Sequence, residues 1–115
     1  MKKTLQKVEC SVPANSTQQF SGQLRQDFNL CTGVFFLDSN YDTLTMRMMV
    51  AGHEIFPAGT NVSLFDFNGN YPYKEAMYDL TKDMIPARSS EYQIDFANPT
   101  NEVMNVTVYF ELANE

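Results

Sequence analysis

An antiparallel all-β sandwich is the fold this sequence predicts, on three observations. Apolar residues alternate with polar ones in segment after segment, clusters of Asn, Asp, Gly, Pro and Ser separate those segments, and helical periodicity is confined to one short stretch. Alternation with period two gives each strand one dry and one wet face. Two such sheets must then cover each other's apolar faces.

The elements follow in order. Val8, Cys10 and Val12 alternate in a first strand expected near 4–12, and further strands are expected near 18–25 and 33–37. Leu44, Met46, Met48 and Val50 mark a strand near 43–50, followed by strands near 61–67 and 76–85. Tyr92, Ile94 and Phe96 mark one near 90–97, and Met104, Val106, Val108, Phe110 and Leu112 one near 103–112. The turn clusters at 13–17, 38–42, 57–61, 68–72, 88–90 and 98–102 lie between them. Asn68-Gly69 favours positive backbone angles at both positions and predicts a tight hairpin. Residues 73–82 are the best helical candidate, although Tyr78, Leu80 and Thr81 also suit a strand.

One phrase, apolar-Pro-Ala-x-small polar, occurs three times, beginning at Val12, Phe56 and Ile85. Proline brings no amide proton to a ladder, and small polar residues after it turn the chain by local hydrogen bonds. Three strand-ending corners are expected. About eight strands without a Cys–Trp core signature favour a jelly-roll-like sandwich over an immunoglobulin-like one.

The chain has 115 residues, 43% of them hydrophobic. That length suits one core, so residues 1–115 are expected to form a single domain. Fourteen acidic against eight basic side chains give a net charge of −6, although Lys2, Lys3 and Lys7 crowd the start. A body of that sign repels phosphate, so neither nucleic acid nor an anionic membrane is expected as a partner. The basic opening resembles the start of a secretory signal, but Gln6, Lys7 and Glu9 interrupt the apolar stretch that must follow. The longest apolar run, 34–37, is far below the roughly 20 residues of a membrane span, and a soluble protein is expected. Cys10 and Cys31 permit one bridge and prove none, and buried free thiols are the expectation.

The search for chemistry finds no constellation. His53 is the only histidine and falls in Ala51-Gly52-His53-Glu54, a predicted turn. Adjacent His and Glu on a strand point to opposite faces and make a poor acid–base pair, so His53 reads as a surface or interface residue. Two cysteines and one histidine without close spacing do not make a zinc set. No serine sits in a nucleophile elbow, and no phosphate-binding glycine loop is present. Asp38-Ser39-Asn40-Tyr41-Asp42 and Asp66-Phe67-Asn68-Gly69-Asn70 space oxygen ligands as calcium loops do. Both lack the following glycine, and Met49 or Met77 stands where a bidentate Glu belongs, so ordinary Asx turns are expected. Asn15, Asn61 and Asn105 begin glycosylation-type triplets, a chemistry that needs a secretory route. Aromatic residues are plentiful, but with no tryptophan a sugar platform is disfavoured. Tyr71, Tyr73 and Tyr78 are candidates for packing or a protein interface, and His53 is a further interface candidate on its own account. No catalytic residue, metal, cofactor or small-molecule substrate is expected.

Three stretches resemble small β-sandwich proteins of bacteriophage particles, the auxiliary, decoration, vertex or head-fibre-base components of capsids. They are Val12-Pro13-Ala14-Asn15-Ser16-Thr17, Gly52-His53-Glu54-Ile55-Phe56-Pro57-Ala58-Gly59, and the closing run 84–112. The resemblance implies a non-enzymatic virion protein, assembled in the host cytoplasm. Such a protein self-associates, often as a trimer or in rings, and binds neighbouring capsid proteins. A carbohydrate- or surface-binding module of an envelope or secreted protein is the alternative expectation, and a small cupin-like or lipocalin-like enzyme a third.

Overall fold

The computed structural model describes residues 2–37, 43–67 and 72–114. Two sheets form from strands β1 (Lys2–Val12), β2 (Ser16–Gln23), β3 (Leu30–Leu37), β4 (Thr45–Val50), β5 (His53–Asn61), β9 (Glu91–Asn98) and β10 (Met104–Asn114). Three two-residue strands, β6 (Asp66–Phe67), β7 (Tyr78–Asp79) and β8 (Ile85–Pro86), lie along β3. The first sheet runs β1-β10-β3-β6, with β7 and β8 also on β3, and the second runs β2-β9-β4-β5. Pairs therefore nest: β1 with β10, β2 with β9, β3 with the short strands, β4 with β5. That nesting is a jelly roll, the two-sheet Greek-key arrangement expected from the strand count and the missing Cys–Trp signature.

Alternation becomes burial. Tyr92, Ile94, Phe96 and Asn98 of β9 are buried while the residues between them are half-exposed, and β10 repeats the pattern from Met104 to Phe110. Phe36, Met48, Ile94 and Phe110 belong to one core cluster shared by both sheets. Strand β3 differs, being buried on both faces from Cys31 to Phe36. A short helix, α1 (Tyr73–Ala76), covers its outer side. Gly33 makes room for that cover, because a Cβ there would collide with the Met77 thioether.

The expected turn at residues 51–54 is shorter than predicted. Only Ala51 and Gly52 form it, both at positive φ (52° and 80°), the pattern of a type I′ hairpin, and His53 already pairs with Val50. The 57–61 cluster is not a corner between strands, contrary to expectation, but a bulge inside edge strand β5. Thr60 pairs with Met46 and Phe56 with Met48, so Pro57, Ala58 and Gly59 face Arg47 alone. Edge strands tolerate proline because their outer amides have no partner, which is why this corner could be absorbed into a strand. The phrase at Val12 does end its strand, and it shares a local bond with the bulge: Ser16 Oγ donates to the Pro13 carbonyl as Thr60 Oγ1 donates to that of Pro57.

The strands expected over 61–67 and 76–85 are largely replaced by turns. Asn61 Oδ1 accepts from the Ser63 amide and hydroxyl, which starts a 3₁₀ turn over Val62–Phe65. Asp79 Oδ1 likewise captures the Thr81 amide and hydroxyl, and the Asp83 amide then closes a turn on Leu80. Such side-chain bonds compete directly with a ladder. The helical candidate at 73–82 contributes one turn, and the hairpin expected at Asn68-Gly69 lies outside the described residues.

Cys10 and Cys31 are buried free thiols. Burial pushes both up to about 12, well above the usual thiol range. Both cysteines are expected to resist a thiol-specific reagent at pH 8 in the native protein and to react together on denaturation, with counting of modified thiols by mass as the check.

Candidate functional site

The interface candidates separate into two places. His53 opens β5 and Tyr78 lies in β7, so sequence positions 25 apart meet where the edge of the second sheet passes the short strands of the first. Together with Glu54, Ile55, Leu80, Asp83 and Ile85 they line a depression of about 170 Å³. Sites for drug-sized ligands run to roughly 300–1,000 Å³, so this hollow fits a side chain of a partner better than a metabolite. Glu54 also lines it, but its carboxylate accepts from the Arg47 guanidinium at 3.1 Å.

Tyr78 belongs to an aromatic seam. Its ring meets Phe56 and Phe65 edge-on, with centroids 4.9 and 5.5 Å away, and Phe56 and Phe65 stack on each other at 4.8 Å. Phe36 of the first sheet meets both. The seam lies between edge strand β5 and the short strands on β3. Tyr78 itself and Leu64, next to Phe65, remain exposed, at 38% and 70% of full exposure.

Tyr73 is elsewhere, on the outer face of the first sheet, where it stacks on Phe35 at 5.1 Å and donates its hydroxyl to Glu111 Oε2 at 2.9 Å. Phe35 also stacks on Tyr109. Tyr71 lies outside the described residues, as do the calcium-like stretch 38–42 and most of 66–70. Among the described residues no group of three or more His, Cys, Asp or Glu side chains is placed to hold a metal ion, and no helix is long and apolar enough to cross a membrane.

The residue missed by sequence reasoning is Glu111. It occupies an outward position of β10, the same phase as Thr107 and Tyr109, and so reads as solvated. It is instead 1% exposed. Thr32 Oγ1 donates to its Oε1 at 2.8 Å, and the Lys3 ammonium lies 3.5 Å from the same oxygen. Burial alone would push this carboxyl up. The hydrogen bonds from Thr32 and Tyr73, with the positive charges of Lys3 and Lys74, outweigh it and hold Glu111 below the usual carboxylate range. The Tyr73 phenol shifts the other way, raised by burial and by its bond to Glu111. The cluster is a clamp: it fastens the N-terminal strand, the bulged part of β3 and the helix α1 to one carboxylate.

The four sheet edges are unequal. β5 is interrupted by Pro57 and its bulges, and the short strands on β3 include Pro86. On the opposite side, β1 runs eleven residues without proline or register shift, with β10 as its only strand partner among the described residues. β2 presents eight uncharged residues and, among the described residues, pairs only with β9. Gln6 ties these two edges together, donating to the Gln23 carbonyl and accepting from the Arg25 amide.

Compared with known proteins, the chain matches no family model, and neither a curated protein nor a solved structure matches it significantly.

Proposed function

We propose that this jelly roll is a non-enzymatic structural subunit that acts by burying surface against copies of itself and against other subunits of a bacteriophage particle, as a capsid auxiliary, decoration or vertex component. The observation that carries the reading is the inequality of the edges: one side of the sandwich is blunted by proline and bulges, while the other keeps two long regular strands open. An open regular edge is a template for another strand, and stable proteins that keep one have a partner for it. Tyr78 of the seam, and Leu64 next to Phe65, are exposed and offer a second contact on the opposite side. The virion setting comes from the sequence resemblance and from the frequent use of jelly rolls in capsids, an argument by analogy.

The test is the mass of the native chain in solution together with its copy number in particles. A symmetric oligomer and a fixed stoichiometry in particles are expected. A monomer at all concentrations that co-purifies with no particle overturns the proposal.

A further inference from the structure

We infer that the β1 edge is a self-association site, pairing antiparallel with β1 of a second copy about a twofold axis at Val8. The inference rests on the assembly reading and adds to it a partner, an orientation and a register. β1 is the longest edge among the described residues that neither proline nor bulge protects; its only backbone–backbone bonds there are those to β10, with side-chain bonds to its carbonyls from Cys10 at Val8 and from Asn98 at Val12. Its lysines would ordinarily discourage pairing, since like charges meet in most registers.

Charge selects among the registers. Centred on Lys7, the two copies would set Lys7 against Lys7, and centred on Leu5 they would set Lys3 against Lys7 twice. Centred on Glu9, two carboxylates would face each other. Centred on Gln6, Lys3 would face Glu9, but Lys7 would face Leu5, and Gln6 would meet its own copy while its amide is held by Gln23 and Arg25. Centred on Val8, each Lys7 faces the other copy's Glu9, and the half-buried Val8 side chains meet at the axis. Lys7 and Glu9 are both exposed and pair within the chain at 2.9 Å, so each can turn to a cross-strand partner without disturbing the core. Thr4 through Val12 then overlap in full, and the four-stranded path of the first sheet continues into that of the second copy. A twofold contact of this kind is isologous and closes on itself, which prevents growth into a fibre. The β2 edge has no charged residue with which to set a register.

The experiment is a charge-swap cycle read by sedimentation equilibrium on the full chain, with thermal unfolding as the check on folding. Lys7→Glu and Glu9→Lys are each expected to weaken dimerisation by about tenfold or more, since two attractive pairs become two repulsive ones. The double variant Lys7→Glu/Glu9→Lys is expected to restore it, because the complementary pairs are re-formed with their signs exchanged. In the Gln6-centred register the double variant would set Lys3 against the new lysine and would not recover, so failure of the double variant to recover overturns the inference. An oligomer indifferent to all three variants, or one without a twofold axis, also overturns it and leaves the assembly reading standing. A wild-type chain that is monomeric at every concentration and binds no particle overturns both.

Discussion

Replacing Glu111 by Gln is expected to lower the unfolding free energy by about 2 kcal/mol and to flatten the acid side of the stability profile. The carboxylate accepts from Thr32 on one oxygen and from Tyr73 on the other, with Lys3 near the first. An amide offers one acceptor oxygen, so its NH₂ must face Thr32 or Tyr73, whose hydroxyl then has to accept instead of donate, and both charge-assisted bonds and the Lys3 contact lose the carboxylate charge. The pH dependence follows from the direction of the shift. Glu111 is held below its ordinary value in the folded state, so its contribution is fully present above the unfolded carboxylate pKa and is lost as pH falls through the folded one. Wild type is therefore expected to lose stability progressively on the acid side of the usual glutamate range, and the Gln variant to lose less. Urea unfolding at several pH values measures both. Equal slopes for the two proteins below pH 4 would show that Glu111 is not the group responsible.

Replacing Asn98 by Ala is expected to cost about 3 kcal/mol, at the upper end for loss of one buried polar side chain. Asn98 is 2% exposed and stands at the end of β9. Its Nδ2 donates to the carbonyls of Val12, Pro13 and Glu102, and its Oδ1 accepts from the amide and hydroxyl of Thr100. One amide thereby joins the corner between β1 and β2 to the corner between β9 and β10, reinforced by the Asn15 amide on the Thr100 carbonyl at 2.7 Å. Alanine would orphan carbonyls from both corners at once. Asp at the same position keeps the acceptor but loses the donor, so it is expected to be nearly as costly as Ala; a change below about 1 kcal/mol in chemical denaturation for both variants would refute the role.

Both residues show where sequence reading ends. Asn98 was legible as part of a turn cluster, since Asn, Pro and Thr in succession mark a corner, but its partners lie 85 and 86 positions away at Pro13 and Val12. Glu111 was misleading for a physical reason. Period-two alternation assigns a residue to a face, and whether that face meets water depends on what the rest of the chain lays over it. The sequence offers Tyr73 for packing or an interface, and packing on Phe35 and Glu111 is the use the fold makes of it. Nothing in the sequence links His53 to Tyr78, and only the nesting of β5 against the short strands brings them to one hollow.

Alternation through Val8–Cys10–Val12, Leu44–Val50, Tyr92–Phe96 and Met104–Leu112 is a local property, legible residue by residue, that burial converts into two facing sheets, so the class of fold is written in it. The corner chemistry at Pro13 is equally local. Tertiary structure alone decided which strands are neighbours, since pairing β1 with β10 joins residues 112 apart that carry no mark of each other. It decided that Pro57 lies in an edge strand, that the stretch after Asn61 turns instead of pairing, and that an outward glutamate is dry. Each is set by long-range packing, which overrides a local preference wherever the burial it gains outweighs the local cost.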